Sequence, residues 1–502
     1  MLRSFTVYNI FKRNAKLFKN QVALQSGAEK VTYGALFDQA NAVAGGLKAR
    51  GIKKGDRIGI LAKNHAHFFP LMGAAASAGA ILVPINFRLS AEEVKYNLTN
   101  TEPVMIVVDS DFQKMIDELR PSCPFLREFV TFESGAEGYT PFQSLLQAEP
   151  AEPAEVGGDD PFLIIHTAAV LGKPRGAVLS HHNLIALTMQ NIAIMGLTRE
   201  DSYLHILPLF HIAGLFGALV ILHVGGRNVM MSKFDAKVAG QMIDQEKITM
   251  IGDFPPILLQ LLDEQAKGEC SLSTLKHVFG IDLQETIKRF EKLGHGQFWL
   301  VYGQTETMGL TSVCSNLEKA GCAGKPGPLA DIKIVDEFDK EVETGKVGEI
   351  VVRGPLVFLG YWGEEELNRH TFREGWHHTG DAGRFDEDGY LWFAGRKAEK
   401  ELIKPGGENV YPVEVEKTIL EHPAVAEVSV IGVPDPKFGE GIKAVCVLKP
   451  GASLTAQELI DFVGGRIARY KKPGYVQFVE ALPKREDGSI DRPKVKELYG
   501  KP

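Results

Sequence analysis

Short apolar runs recur along the chain, separated by segments whose composition suits helices. Arg57–Ala62 (R-I-G-I-L-A) and Val104–Val108 (V-M-I-V-V) are largely apolar on both faces, which predicts strands buried within a sheet. Ala91–Asn100 and Asp111–Leu119, between and after them, have helical composition. Such alternation predicts parallel sheets covered by helices. The most apolar segment runs from Phe68 to Ile85, interrupted by Pro70 and Pro84 and filled with small residues. A membrane span wants about 20 strongly apolar residues, so this segment predicts a buried helix. Between Glu133 and Asp160, Glu, Pro, Gly and Ala dominate and predict an exposed connection. P-F-L-I-I-H-T then reads as a strand opening into a glycine-containing turn.

From Gly395 onward the pattern changes. Glu427–Val433 and Lys443–Leu448 read as strands and Thr455–Ala468 as a helix, with many lysines between. This end is slightly basic, whereas the rest of the chain holds the acidic excess. A small basic module on a larger acidic body would meet an anionic ligand at their junction, although ordinary surface charge gives the same pattern.

At 502 residues the chain is too long for one core, and roughly two to four domains are expected. Hydrophobic residues at 44% and charged residues at 24% exclude a disordered or collagen-like chain. A net charge of −7 excludes a protein built to coat nucleic acid. The cysteines Cys123, Cys270, Cys314, Cys322 and Cys446 show neither C-x-x-C pairs nor zinc spacing. They read as reduced thiols of a cytoplasmic protein. The N-terminal segment, with Lys12, Arg13 and Lys16, lacks the apolar stretch and cleavage site of a secretion signal.

Candidate chemistry begins at Thr167-Ala168-Ala169-Val170-Leu171-Gly172-Lys173-Pro174-Arg175-Gly176, which follows a buried strand. Two glycines bracketing a lysine and an arginine offer N–H groups and positive charge to phosphates. It is not a Walker A loop, whose first glycine and final hydroxyl are absent. In Val301-Tyr302-Gly303-Gln304-Thr305-Glu306 the aromatic suits a base, the glycine close approach, and the carboxylate Mg²⁺. His378-Thr379-Gly380-Asp381 offers a carboxylate for ribose hydroxyls, and Gly395-Arg396 opens a basic, glycine-containing stretch. Each piece alone reads equally as a turn or surface segment. Their order is the signal.

With these motifs the chain resembles the adenylate-forming superfamily of acyl-CoA synthetases, 4-coumarate-type ligases, luciferases and peptide-synthetase adenylation domains. The resemblance covers essentially the whole chain, including the opening V-T-Y-G-A-L and the closing F-V-E-A-L-P-K. It implies an α/β fold with a large N-terminal body of layered α/β sheets over residues 1–394. A hinge over 395–400, with Lys400 as its pivot, and a small mobile C-terminal α+β domain over 401–502 would follow. It implies ATP, Mg²⁺ and CoA as cofactors, and a small carboxylic acid and CoA as partners, with neither nucleic acid nor a membrane span. The acid attacks the α-phosphate to give acyl-adenylate and pyrophosphate, and a thiol then displaces AMP.

By the same resemblance Thr167, Gly172, Lys173 and Gly176 border the ATP phosphates. Tyr302 faces the adenine with Gly280 near its other side, within Gly303, Gln304 and Thr305. Glu306 holds Mg²⁺, and Asp381 and Arg396 bind the ribose. Lys404 joins Glu306 and His211 in catalysis, and the Gly406-Gly407-Glu408 turn approaches the pantetheine channel.

Two departures stand out. Ala168-Ala169-Val170-Leu171 replaces the family's hydroxyl-rich S-G-T-T, and Ser489 stands where the family carries a lysine bridging substrate carboxylate and α-phosphate. Arg175, Lys484 or Lys494 substitutes, or the enzyme works mainly between acyl-adenylate and acyl-CoA, or the chain is a degenerate nucleotide or acyl-CoA binding protein. A luciferase-like oxygenase has no residue to signal it.

Leu207-Pro208-Leu209-Phe210-His211 lacks the aspartate with which amino-acid-activating relatives hold an ammonium. An unpaired buried ammonium is costly, so a fatty, aromatic or alicyclic acid is expected. His211, Gly214, Phe254, Gly280, Asp282, Gln304 and Met308 are the expected pocket walls. Asp282 is unexpected, because the family carries small residues there.

Overall fold

The computed structural model describes residues 5–133, 137–167, 174–396, 402–408, 410–485 and 490–502. Among these the strands form sheets of nine, eight, five and three strands. The eight-stranded sheet sets Pro161–Thr167, Ile81–Pro84, Arg57–Leu61 and Met105–Val108 side by side and parallel. The nine-stranded sheet does the same with Ser202–His205, Met250–Asp253, His277–Gly280 and Gln297–Tyr302. Covered on both faces, these strands bury nearly every side chain, which explains the unbroken apolar runs.

Helices fill the layers between and around the sheets. Tyr33–Ala49 packs on Phe68–Ala78, where a Cβ on Gly73 would lie 2.7 Å from that of Ala40. The Phe68–Ile85 segment is therefore not one helix. It ends at Ala78, turns at left-handed Gly79 and continues as the strand Ile81–Pro84. The region read as an exposed connection also holds structure. Phe142–Leu146 is a short helix whose Phe142 and Leu145 are wholly buried, Leu145 against Gly46.

In the five-stranded sheet Trp376–Phe385 pairs with Leu391–Arg396, and the register sets Asp381 opposite Arg396. The three-stranded sheet joins Val425–Asp435, Gly439–Leu448 and Tyr475–Phe478. The helices Pro412–Leu420 and Ala456–Gly464 close a separate core of Val415, Ile419, Val430, Ala444, Leu459 and Val463 against it. Thr455 and Glu458 cap the second helix reciprocally. Its end falls short of the expected Ala468, at consecutive glycines 464 and 465. Lys471 and Glu408 reach from this end of the chain to Glu93 and Arg88.

The chain is thus a mixed α/β protein, with a large N-terminal body of sheets and a smaller C-terminal unit. All five cysteines are free thiols. Among the described residues no helix is long and apolar enough to cross a membrane.

Candidate active site

Three parallel strands of the nine-stranded sheet end side by side at Asp253, Gly280 and Tyr302. A cavity of about 660 Å³ opens there, at the edge where open parallel sheets ordinarily take ligands. Gly280 adopts φ 150°, and a Cβ on it would stand 1.9 Å from the Asp253 carbonyl oxygen. Only glycine permits that approach.

One wall is polar. Tyr302 OH donates to Asp381 Oδ2 at 3.0 Å, and Gln304 Nε2 donates to the same oxygen at 2.6 Å. Arg396 Nε stands 3.4 Å from Asp381 Oδ1. Burial, with Asp381 beside it, pushes the Tyr302 hydroxyl well above its ordinary value, so it stays a neutral donor. A phenol ring with a carboxylate and a guanidinium beside it suits a ribonucleotide, ring to base and carboxylate to ribose hydroxyls. Gln304 Oε1 is buried with no hydrogen-bond partner among the described residues. A ligand donor there would relieve that cost.

Thr167 Oγ1 and Tyr361 OH both donate to Glu306 Oε1, at 2.9 and 2.8 Å. Among the described residues no side-chain hydrogen bond reaches Oε2. One carboxylate flanked by hydroxyls fits Mg²⁺, which binds through one or two carboxylates and keeps waters and phosphate oxygens besides. Among the described residues no cluster of three or more His, Cys, Asp or Glu forms an all-protein cage.

Another wall is apolar. His211 caps the helix Ile212–Val224, its Nδ1 accepting the Ala213 N–H at 3.2 Å. Burial, then the Lys404 and Arg88 charges, pulls its imidazole down to about 4. The ring is therefore neutral near pH 7 and carries its proton on Nε2 as a donor. Phe254 meets it edge-on, with centroids 6.3 Å apart, and Ile212, Ala213, Phe279 and Leu310 continue the wall.

Among the described residues the cations lining the cavity are Arg396 and Lys404. Burial first, then repulsion from Arg396, pulls Lys404 down to about 8, against the attraction of Asp381, Glu440 and Glu306. Its folded pKa thus lies below the unfolded value of 10.5. Between those values the unfolded chain binds more protons, and stability rises with pH. Lys404→Met should stabilise the chain at pH 7 by on the order of 2 kcal/mol, allowing for partial exposure. In urea unfolding that gain should shrink as pH rises through the window, and a constant gap would assign it to packing instead.

Of the residues expected from sequence, Thr167, His211, Gly280, Asp282, Tyr302, Gly303, Gln304, Thr305, Glu306, Asp381, Arg396, Lys404 and Gly407 line the cavity. Glu408 faces an adjoining cavity of about 90 Å³ and pairs with Arg88, while Gly406 lies between Pro255 and Phe438. Three expected residues lie elsewhere. Gly176 is a strand residue opposite His166, where a Cβ would fall 2.7 Å from Ile164. Gly214 packs in its helix against the Pro208 carbonyl oxygen, 2.1 Å from a would-be Cβ. Met308 is wholly buried in the core, the left-handed residue that ends a short helical turn. Gly172, Lys173, Lys400 and Ser489 lie outside the described residues.

Sequence reasoning missed Tyr361, Phe393 and Tyr411, which also line the cavity. Tyr361 reaches Glu306 because the short strand Gly360–Tyr361 pairs with Arg175–Ser180. Its one signal is an aromatic after a glycine in L-G-Y-W.

Comparison with known proteins gives a consistent picture. A family described as AMP-binding enzyme matches residues 11–362, and its C-terminal domain matches residues 414–488. The chain is 33% identical over 500 residues to an indoleacetate–CoA ligase of Aromatoleum aromaticum, covering 97% of each. A feruloyl-CoA synthase of an Amycolatopsis species is 31% identical, over 97% of this chain and 98% of the relative. Among solved structures, a double mutant of the o-succinylbenzoate CoA synthetase of Bacillus subtilis, bound to its product analogue, superposes with a TM-score of 0.86. It is 30% identical and covers 97% of this chain and 98% of its own.

Proposed function

The chain belongs to the AMP-binding enzyme family, and from that premise we infer that it is an ATP-dependent acid–CoA ligase, working through an acyl-adenylate and releasing AMP and pyrophosphate. The observation that carries this reading is one cavity with a nucleotide wall (Tyr302, Gln304, Asp381, Arg396) and an apolar acid wall (His211, Phe254, Ala213), with Lys404 and Gly407 lining it too.

In the first step a carboxylate oxygen of the acid forms a bond to the α-phosphorus, and the bond to pyrophosphate breaks. Tyr302 and Asp381 hold the nucleoside, and neutral His211 offers its Nε2 proton as a hydrogen bond without competing for charge. Glu306, with Thr167 beside it, is the residue that would hold Mg²⁺. The ion, when bound, neutralises charge on the phosphates. Lys404 and Arg396 supply fixed positive charge where negative charge gathers. In the second step the thiol sulfur bonds to the acyl carbon, AMP leaves, and the thiol proton passes to solvent. The Gly406–Glu408 turn and the adjoining small cavity give the thiol its route.

The division we propose is a body over 1–394, a hinge over 395–400 at Lys400, and a mobile domain over 401–502. The acid is aromatic, fatty or alicyclic, and relatives acting on indoleacetate and ferulate favour the aromatic class. Mg²⁺ and a cytoplasmic setting complete the proposal, the latter suggested by five free thiols. A panel of acids with ATP, Mg²⁺ and CoA tests it. Pyrophosphate, AMP and acyl-CoA should appear in equal amounts with at least one acid, and none with any acid would overturn the reading.

Ser489 stands where the family carries its lysine, but the relatives are acid–CoA ligases, and work mainly between acyl-adenylate and acyl-CoA is not favoured. Arg175 pairs with Glu364 and Lys484 with Glu427, and neither these nor Lys494 lines the large cavity, where a substitute for the lysine would have to stand. Ser489→Lys should therefore raise pyrophosphate release roughly tenfold or more. Thioester formation from supplied acyl-adenylate should stay within about twofold, since the added charge serves only the other step. An unchanged first step would show that another cation already serves it.

A further inference from the structure

Two carboxyl groups at the cavity have no part in the chemistry above. Asp253 ends the strand Met250–Asp253, has no solvent exposure, and accepts the Leu258 N–H on Oδ1 at 3.0 Å. Asp282 lines the cavity, and its Oδ1 accepts the Leu283 N–H at 2.6 Å. The Oδ2 atoms of both residues are buried with no donor among the described residues, and the two carboxyls lie within hydrogen-bonding reach of each other. No cation pairs with either among the described residues.

Two carboxylates cannot make a hydrogen bond without a proton, and a second buried like charge is strongly disfavoured. Burial, with Asp282 alongside, drives Asp253 far above the carboxylate range. Burial raises Asp282 as well, though the hydrogen bond from Asp253 counters it. The deeper Asp253 therefore keeps the proton and donates to Asp282. The pair carries one negative charge, and Asp282 presents it at the cavity wall.

We propose that the Asp253–Asp282 pair selects the acid, accepting a hydrogen bond from a ring N–H or phenolic O–H on an aromatic tail and repelling a tail with a second carboxylate. This rests on the ligase reading. The purine amine of the nucleotide is a donor of the same chemistry, but position favours the acid. Asp253 runs directly into Phe254, whose ring meets His211 on the apolar wall, whereas the nucleoside-type groups gather around Asp381. An acceptor built into an otherwise apolar wall discriminates because an acid without the donor leaves it unmet.

Matched acids test the pair: indole-3-acetate against its 1-methyl derivative, 4-hydroxycinnamate against 4-methoxycinnamate, and a cinnamate bearing a ring carboxylate. Each is measured by kcat/KM for acyl-CoA and by calorimetric binding in the presence of a non-hydrolysable ATP analogue. Wild type should prefer the donor-bearing acids about tenfold or more and take the ring carboxylate worst. Asp282→Leu, which removes the acceptor, should bring the donor preference within about twofold and admit the ring carboxylate, whereas the isosteric Asp282→Asn, which keeps an acceptor oxygen without the charge, should admit the ring carboxylate and retain much of the donor preference. Asp253→Asn, which still donates to Asp282, should keep the preference. Equal use of donor and methylated acids by wild type, or an unchanged ratio in Asp282→Leu, would overturn the proposal. So would loss of discrimination between ATP and purine riboside triphosphate in that variant with the acid ratio intact, which would give Asp282 to the base. A wild type that releases no pyrophosphate would sink the ligase reading, while calorimetry would still decide this one.

Discussion

Replacing Glu306 by glutamine should cut acyl-CoA formation about a thousandfold, equivalent to about 4 kcal/mol of barrier, and leave the fold in place. The carboxylate is buried, and the Thr167 and Tyr361 hydroxyls both converge on its Oε1. Glutamine keeps the shape and an acceptor oxygen for those two hydroxyls, so packing around the site survives. What disappears is the full negative charge that fits Mg²⁺ among phosphates, which a neutral amide holds far more weakly. Pyrophosphate release over a range of Mg²⁺ concentrations, with thermal unfolding as control, checks this. Tyr361→Phe should cost far less, because it removes one hydrogen bond and no charge. Near-wild-type turnover in Glu306→Gln would make the residue structural.

Gly407→Leu should lower transfer of the acyl group to CoA by on the order of a hundredfold while adenylate formation persists. Gly407 has φ +84°, which an L side chain rarely adopts, and a Cβ there would lie 2.7 Å from the Phe254 ring. It lines both the large cavity and the adjoining small one. A bulky side chain would therefore strain the turn, push on the apolar wall and fill the gap between the cavities. The two half-reactions separate experimentally through pyrophosphate release and acyl-CoA formation from supplied acyl-adenylate. Equal loss in both would count against a turn that serves the thiol step.

Residues close in sequence were the legible part of the site. Tyr302, Gln304 and Glu306 fall within one short segment after a strand, and their side-chain chemistry speaks for itself. Asp381 and Arg396 were legible as separate motifs, yet only the antiparallel register of their strands brings them face to face. Gly176 and Gly214 show the opposite error. A glycine in a motif looks like room for a ligand, whereas here it makes room for Ile164 and for the Pro208 carbonyl. Met308 misled in the same way, since hydrophobicity beside a site does not reveal which way a side chain turns.

What the sequence by itself determined was the alternation of buried strands and helices, the α/β class, the ordered motifs and the residue types available for nucleotide chemistry. These depend on local composition and on spacing along the chain, which folding leaves unchanged. Only the tertiary structure decided that Tyr361 reaches Glu306 across 55 residues. It alone decided that burial makes His211 neutral and pulls Lys404 down, and that burial beside Asp282 drives the Asp253 carboxyl up. Those outcomes come from desolvation and from distances between residues far apart in the chain, and neither quantity exists until strand ends from separate segments meet at one cavity.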